Sequence, residues 1–129
     1  MPTSSASPRV FLADDASAIR QRVNAMLSAA GMTVVGEAAT PEACIDGILA
    51  SQPDVVVLDV QLEGGTGLQV LQGVRAARPQ VAFVVFSNNA AAPYRRRYLA
   101  EGAQRFLDKS ADFNELAQAV LTACPGAIH

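Results

Sequence analysis

Cysteine and histidine are scarce in this sequence, which limits the metal and redox sites that it can form. Its two cysteines, Cys44 and Cys124, stand far apart and outside any CxxC spacing, and the one histidine, His129, is the last residue. Structural zinc sites need several cysteine or histidine ligands at short, regular spacings. The sequence therefore argues against a zinc site and a disulfide framework, and we expect both cysteines to be reduced and buried.

Long apolar runs and a large excess of one charge are also missing. No segment approaches the roughly 18 apolar residues of a membrane-spanning helix, and residues 1–9 lack the apolar middle of a secretion signal. The formal net charge is only −2, so the chain has no basic field that would attract nucleic acid or an anionic membrane. We expect a soluble, cytoplasmic protein with no direct binding to nucleic acid or membranes.

Length and hydrophobic content indicate one compact domain. The chain has 129 residues, of which 50% are hydrophobic, and this is enough to bury a single core. The sequence shows no repeat and no linker. The expected organisation is a flexible N-terminal tail at residues 1–8, one domain at 9–124 and a C-terminal tail at 125–129.

Short β-branched or aromatic runs alternate with longer segments of helical periodicity. Thr40 before Pro41, and Asp112 three residues before Glu115, are typical of helix starts. Such alternation, with apolar strands, favours a doubly wound α/β fold in which helices cover both faces of a parallel sheet. The strands are predicted at residues 10–13, 32–38, 55–58, 81–86 and 105–107, and the helices at 17–30, 41–50, 66–77, 93–101 and 112–124.

Polar side chains stand at the ends of four of these predicted strands. Asp14 and Asp15 follow the first strand, and Asp59 directly follows the apolar run VVVL. Ser87 and Lys109 end the fourth and fifth strands. In open parallel sheets, ligands bind at the carboxyl ends of the strands, near the point where the strand order reverses. We therefore expect these side chains to meet in one crevice.

Three clustered carboxylates repel one another, which favours a bound cation. Without one, at least one pKa would rise until that carboxyl group kept its proton. Mg²⁺ prefers oxygen ligands and commonly shares carboxylates with a phosphate, and Lys109 with Ser87 would hold that anion. If the phosphoryl group is transferred, Asp59 is the natural acceptor, because an ionised carboxylate can form an aspartyl phosphate without a general base.

Four segments resemble the receiver domain of bacterial two-component response regulators. They are LADD (12–15), VVVLDVQLEGGTGLQVL (55–71), VVFSN (84–88) and GAQRFLDKS (102–110), and the resemblance extends over about residues 10–123. It implies a stand-alone, flavodoxin-like domain with a five-stranded parallel sheet and five helices in three α/β/α layers. It also implies a signal-transduction phosphoprotein that receives its phosphoryl group from a sensor histidine kinase or a histidine phosphotransfer protein. Such a protein then signals by contact with a partner or passes the phosphoryl group on in a phosphorelay.

The resemblance assigns roles to individual residues. Asp59 would be the phosphoacceptor, and Lys109 and Ser87 would act with it in catalysis. Ser87 and Phe106 would form a switch, in which the hydroxyl moves towards the phosphate and Phe106 changes rotamer inward. The implied ligands of Mg²⁺ are Asp14, Asp15, Asp59 and the carbonyl group of Gln61.

The output surface implied by the resemblance consists of the fourth helix, the fifth strand and the fifth helix. The run YRRRY lies on that fourth helix, where a short charged run is usually a solvated helix face. Because the run falls on the implied output surface, we expect it to contact a downstream protein partner or a second copy of the chain. The residues of this expected partner surface are Tyr94, Arg95, Arg96, Arg97 and Tyr98.

Several positions depart from the family pattern. Glu63 and Ser110 stand where the family usually has prolines, after the acceptor and after the lysine respectively. A cis peptide bond before Ser110 would cost about 3–4 kcal/mol, so the peptide geometry after Lys109 stays open. Asn88 and Asn89 occupy loop positions that vary in the family, and they leave the phosphate lifetime open.

Three other interpretations stay open. A phosphatase of the haloacid-dehalogenase type also uses an Asp nucleophile with Ser, Lys and Mg²⁺, but it has a second Asp two residues later, where this chain has Gln61. The second is an interaction module that never uses phosphate, and the third is a receiver within a longer regulator that has a DNA-binding module. In the preferred interpretation the chain is a switch with self-phosphorylation and autodephosphorylation chemistry rather than a metabolic enzyme.

Overall fold

The computed structural model describes residues 7–125, in which strands and helices alternate. The strands are β1 (Arg9–Ala13), β2 (Thr33–Ala38), β3 (Val55–Leu58), β4 (Gln61–Leu62), β5 (Gly65–Thr66), β6 (Ala82–Ser87) and β7 (Arg105–Asp108). The helices are α1 (Ser17–Ala29), α2 (Pro41–Ser51), α3 (Gly67–Ala77), α4 (Ala92–Ala100) and α5 (Leu116–Ala123). The expected tails at 1–8 and 125–129 lie almost entirely outside the described residues, as does His129.

The five longer strands form one parallel sheet in the order β2-β1-β3-β6-β7. The chain runs from β1 outward to β2, returns past β1 to β3 and continues to β6 and β7. The order therefore reverses between β1 and β3, as in flavodoxin-like folds. The predicted fold class is confirmed.

Helices cover both faces of the sheet, because successive side chains of a strand point to opposite sides. Val56 of β3 belongs to a core that contains side chains of α2, α3 and α4. Val57, the next residue, belongs to a second core formed with α1 and α5. As a central strand covered on both sides, β3 is fully buried, which accounts for its continuous apolar sequence.

The helix starts agree only in part with the sequence pattern. The Thr40 hydroxyl accepts a hydrogen bond from the Ala43 N–H at 3.2 Å and caps α2 as predicted. The predicted capping by Asp112 is wrong: its carboxylate accepts from the Asp108 N–H at 2.9 Å, and a 3₁₀ turn at Phe113–Glu115 precedes α5. Within residues 7–125, no helix combines the length and the apolar character that crossing a membrane requires.

The two cysteines differ in burial. Both are free, as expected. Cys44 lies on the buried face of α2, and burial raises the pKa of its thiol to about 12. Cys124 is only half-buried, so the expectation of burial is wrong for this residue, because it follows the end of α5 rather than lying within a packed helix.

Candidate functional site

The carboxyl ends of β1 and β3 lie side by side and carry the three predicted acids. Asp14 and Asp15 follow β1, and Asp59 follows β3. One carboxylate oxygen of each acid lies within 4.8 Å of the other two. Asp14 and Asp59 are buried, whereas Asp15 is exposed. The fold thus brings the three acids together where the strand order reverses.

Lys109 lies between two of these acids. Its Nζ donates a hydrogen bond to Oδ2 of Asp59 at 2.9 Å and lies 2.6 Å from Oδ2 of Asp14. The residue is only 8% exposed. Burial by itself would lower the pKa of Lys109, but the hydrogen bonds to Asp14 and Asp59 and the negative charges of these acids together outweigh burial and raise the pKa. Lys109 is therefore an ammonium ion held against two carboxylates.

The pKa of Asp14 is raised above its ordinary value. Burial is the main cause, and the negative charge of Asp59 adds to it, although Lys109 and the Ala16 N–H act in the opposite direction. The Ala16 N–H donates to Oδ1 of Asp14 at 2.9 Å. Because a single ammonium serves a cluster of three acids, the cluster has unbalanced negative charge that a divalent cation would relieve.

The ligands in this cluster fit Mg²⁺. Mg²⁺ binds oxygen at about 2.1 Å and keeps several water ligands, so carboxylates whose oxygens spread over 4.8 Å can share one ion directly or through water. Gln61 lies at the same edge, with its backbone N–H 3.4 Å from Oδ1 of Asp59. A set of carboxylate oxygens without thiolate or imidazole suits a hard cation rather than zinc.

A cleft of about 310 Å³ opens beside Asp59. Ser87, at the end of β6, is buried there, and its Oγ accepts a hydrogen bond from the Asn89 N–H at 3.0 Å. The cleft has room for a phosphoryl group and several waters, since a water takes up about 30 Å³. It is lined by Asp15, Asp59, Gln61, Leu62, Ser87, Asn88 and Asn89.

Arg20 and Glu37 hold the end of β1, and neither residue was predicted as part of the site. The guanidinium of Arg20 donates to the backbone carbonyl of Asp14 and to Oε1 of Glu37, each at 2.6 Å. This contact ties α1 and the end of β2 to the acids that follow β1. The ion pair joins residues that are 17 positions apart in the chain, so no local spacing could have indicated it.

Gly67 is a further residue of the site that was not predicted from the sequence. The hairpin formed by β4 and β5, which was not predicted, turns the chain back so that the Gly67 N–H donates to the Val60 carbonyl at 2.8 Å. A Cβ atom on Gly67 would overlap the backbone carbonyl oxygen of Asp59. Glycine at this position therefore allows α3 to begin directly against Asp59.

The turn after β7 positions Lys109. Oδ1 of Asp108 accepts from the Ser110 N–H at 2.8 Å and from the Ser110 hydroxyl at 2.6 Å. No cis peptide bond occurs among the described residues, so the bond from Lys109 to Ser110 is trans. At the position of the usual proline, the turn is closed by side-chain hydrogen bonds instead.

Tyr98, predicted to contact a partner, lies inside the protein and that prediction is wrong. It is 2% exposed, because α4 turns this side chain towards the sheet. Its hydroxyl donates to the Val60 carbonyl at 3.4 Å, and burial raises its pKa to about 12. Of the rest of the expected partner surface, Arg95 is half-buried, and Tyr94, Arg96 and Arg97 are exposed.

Phe106 already points into the core. It is 4% exposed and meets the ring of Tyr98 edge to face, with the centroids 6.1 Å apart. The guanidinium of Arg95 lies 5.1 Å from the Phe106 ring centroid and donates to the Phe106 carbonyl at 2.9 Å. The outward rotamer from which the predicted switch would start is therefore not the one in this structure.

Comparison with known proteins identifies relatives over most of the chain. A family model described as the response regulator receiver domain matches residues 10–121. The response regulator GacA of Pseudomonas aeruginosa is 30% identical over 113 residues, which cover 87% of this chain and 53% of GacA. The transcriptional regulatory protein NarL of Mycobacterium tuberculosis is 34% identical over 119 residues, 92% of this chain and 55% of NarL. The chain thus spans about half the length of the curated relatives it matches.

Solved structures of response-regulator receiver domains have the same fold as this chain. The signal receiver domain of the response regulator NarL from Mycobacterium tuberculosis has a TM-score of 0.86 and 33% identity, covering 93% of this chain and 98% of that one. The response regulator TrrA from Thermotoga maritima, in complex with Mg²⁺-BeF, has a TM-score of 0.79 and 23% identity, covering 90% and 98%. At 23% identity, the similarity to TrrA shows the fold alone. Since the family model spans nearly every described residue, this chain belongs to the receiver-domain family of response regulators.

Proposed function

We propose that this receiver accepts a phosphoryl group on Asp59 from a histidine kinase or a histidine phosphotransfer protein, with Mg²⁺ as cofactor. The observation that carries the proposal is the ammonium of Lys109, which bridges Asp14 and Asp59 beside an open cleft. The arrangement offers a carboxylate nucleophile next to a cation that can stabilise phosphoryl oxygens. The proposed functional domain is residues 9–124.

Transfer would proceed by attack of an Asp59 oxygen on phosphorus, in line with the imidazole nitrogen of the donor. The new P–O bond forms as the P–N bond breaks, and the departing imidazole takes a proton from water. Lys109 would exchange its contact with Asp59 Oδ2 for a phosphoryl oxygen while it keeps its contact with Asp14. Mg²⁺, when bound, would supply further positive charge at those oxygens, and its proposed ligands are Asp14, Asp15, Asp59 and the carbonyl of Gln61.

Switching would begin at Ser87. Its Oγ now accepts from the Asn89 N–H, and turning the hydroxyl to donate to a phosphoryl oxygen would break that contact and move the segment that leads into α4. Because Phe106 is already inside, we infer that the output depends on movement of α4 rather than on entry of the aromatic ring. The proposed output surface is formed by α4, β7 and α5.

Two observations weaken the phosphatase alternative. The chain belongs to the receiver-domain family, and Gln61 cannot transfer protons as the second Asp of those phosphatases does. A transcriptional output is a second candidate, in which the receiver controls a DNA-binding module of a longer regulator. It is favoured by relatives whose names describe transcriptional regulators. The exposed Tyr94, Arg96 and Arg97 support a downstream protein contact or self-association in either case.

Incubation with acetyl phosphate and Mg²⁺, followed by intact-protein mass spectrometry, tests the acceptor. We expect one added phosphoryl group on the unaltered chain and none on Asp59→Asn. Asp46→Asn is the matched control, since Asp46 is an exposed acid on α2, outside the cluster. Equal phosphorylation of Asp59→Asn and the unaltered chain would rule out Asp59 as the acceptor.

A further inference from the structure

A groove of about 290 Å³ separates the start of α3 from α4. It lies on the flank of α4 that faces α3, and two of its lining residues, Tyr94 and Arg97, are among those proposed above to contact a partner. Its volume is at the lower end of the range for small-ligand pockets, which suits one or two protein side chains. The groove is lined by Val60, Thr66, Leu68, Pro93, Tyr94, Arg97 and Tyr98.

The groove is apolar inside, and Arg97 is the charged residue among the described residues that line it. Val60, Leu68 and the ring of Tyr98 form apolar parts of the wall, and Tyr94 is 42% exposed at its edge. Arg97 lines the groove, and α4 carries three arginines without an acidic residue along Ala92–Ala100. Glu101 lies 3.3 Å from Arg97, but an exposed pair of this kind contributes little and leaves the arginine able to exchange partners.

The floor of the groove connects to the acceptor and to the switch aromatic. Val60 directly follows Asp59 in the chain, and its carbonyl accepts from the Tyr98 hydroxyl. The ring of Tyr98 in turn packs edge to face on Phe106. A side chain seated in the groove would therefore contact Val60, the chain neighbour of Asp59. It would also contact Tyr98, which packs on Phe106.

We propose that this groove docks an acidic, apolar segment of a partner protein. A large apolar side chain of the segment enters between Leu68 and Tyr94, and a neighbouring Asp or Glu pairs with Arg97. Charge complementarity selects this occupant, because Arg97 lines the groove and no acidic residue of the described part of the chain does. Docking itself needs no phosphate. A change in docking affinity when Asp59 is phosphorylated would rest on the function proposed above.

A second copy of the chain is a poorer fit for the groove. Besides Tyr94, the exposed large apolar side chain among the described residues is Leu99, which is also on α4. Inserting Leu99 of another copy would bring the arginines of two α4 helices together, and like charges at close range oppose binding. A segment that carries acidic residues meets no such repulsion.

A peptide-display library selected against the intact chain tests the proposal, with the enriched peptides synthesised and their Kd measured by calorimetry. We expect peptides in which Asp or Glu neighbours a large apolar residue. Tyr94→Ala and Arg97→Gln should each weaken their binding by about tenfold, the equivalent of 1.4 kcal/mol. Arg9→Gln is the control. It also removes one positive charge, but Arg9 begins β1 and does not line the groove, so Kd should stay unchanged.

The outcomes separate this proposal from the function on which it rests. If enriched peptides need Tyr94 and Arg97 but their Kd ignores acetyl phosphate, docking stands and control by Asp59 fails. Peptides without acids, no enriched peptides, or binding indifferent to Arg97→Gln would overturn the docking proposal even if Asp59 is phosphorylated. A dimer seen by sedimentation and lost in Tyr94→Ala would make a second copy the occupant and would also overturn it.

Discussion

Lys109 stabilises two buried acids at once and is the only lysine in the sequence. Its removal would leave Asp14 and Asp59 close together in a poorly solvated place without a counter-charge. Breaking a buried ion pair in this way typically costs more than the intact pair contributes, because the remaining charge is left unpaired. The acids would respond by binding protons more readily.

We predict that Lys109→Met lowers the free energy of unfolding by about 3 kcal/mol at about pH 7 without Mg²⁺. Loss of Lys109 raises the pKa of Asp14 further above the already raised value. An acid whose pKa is higher in the folded state stabilises the fold at low pH and loses that contribution as pH rises through the folded pKa. The deficit should therefore shrink towards about pH 5, as measured by urea unfolding in EDTA at both pH values.

The double variant Lys109→Met/Asp14→Asn provides the control for this prediction. Because it removes one of the unpaired acids together with the lysine, it should recover much of the stability at neutral pH. A deficit that is the same at both pH values, or no recovery in the double variant, would show that Lys109 does not neutralise these acids in the folded state.

At the scale of elements, side-chain hydrogen bonds close the turn between β7 and α5, where the family usually has a proline after the lysine. Asp108 closes the turn with two hydrogen bonds from Ser110, and the Asp112 carboxylate returns to the Asp108 N–H. Lys109 is held between these contacts. A loosened turn would let its ammonium drift from Asp59, and a displacement of about 1 Å can lower a rate by as much as 10²-fold.

We predict that Asp108→Ala slows phosphorylation by acetyl phosphate by roughly tenfold, a moderate case of such a displacement. Asp108→Asn should retain most of the rate, because its amide oxygen still accepts from Ser110. Time courses by intact mass at saturating Mg²⁺ measure both rates. Equal losses in Asp108→Ala and Asp108→Asn would contradict a positioning role through this hydrogen-bond acceptor.

The same turn should contribute to acid sensitivity. The hydroxyl of Ser110, followed by its N–H, lowers the pKa of Asp108. A lowered folded pKa means that the contribution is present above the ordinary Asp value and is lost as pH falls through the folded pKa. Thermal unfolding at a series of acidic pH values measures the loss. The unfolding temperature should fall less in Asp108→Asn than in the unaltered chain, because the introduced amide does not titrate.

The elements themselves differ in how well the sequence predicts them. The strand VVVL is predicted with its observed bounds, and the strand predicted at 81–86 differs from β6 by one residue at each end. Both strands are found from the sequence because central parallel strands need continuous apolar residues. The hairpin of β4 and β5 has two residues in each strand, too few for a periodic signal. The Asp112 carboxylate pairs with the end of β7 instead of capping α5, and a local capping rule cannot anticipate that competition.

At the scale of the whole molecule, the fold places clustered negative charge where the strand order reverses. The cluster opposes folding by itself, whereas a cation bound only by the folded state stabilises that state. The acids that destabilise the folded state by mutual repulsion should therefore stabilise it when they bind Mg²⁺.

We predict that Mg²⁺ raises the unfolding temperature, with a gain of about 2.7 kcal/mol at a concentration of one hundred times Kd. Asp15→Asn should reduce that gain, because Asp15 is the exposed acid of the cluster and lines the cleft. Differential scanning calorimetry at constant ionic strength measures the shift, with Asp46→Asn as the control. A shift in Asp15→Asn equal to that of the unaltered chain would exclude Asp15 as a magnesium ligand.

The sequence by itself determined the fold class and the positions of the polar residues that end the strands. Both follow from short-range rules: apolar periodicity distinguishes strand from helix, and strand ends in a parallel sheet share one edge. Asp59, Lys109 and Ser87 could therefore be placed near one another without coordinates.

Only the tertiary structure decided which contacts those residues make. The sharing of Lys109 by two acids, the tie of Arg20 to Glu37, and the inward position of Phe106 each depend on packing between segments far apart in the chain. Tyr98 belongs to a run of polar and charged residues, yet the orientation of α4 on the sheet buries it. Such choices depend on the space between elements, which local sequence patterns do not encode.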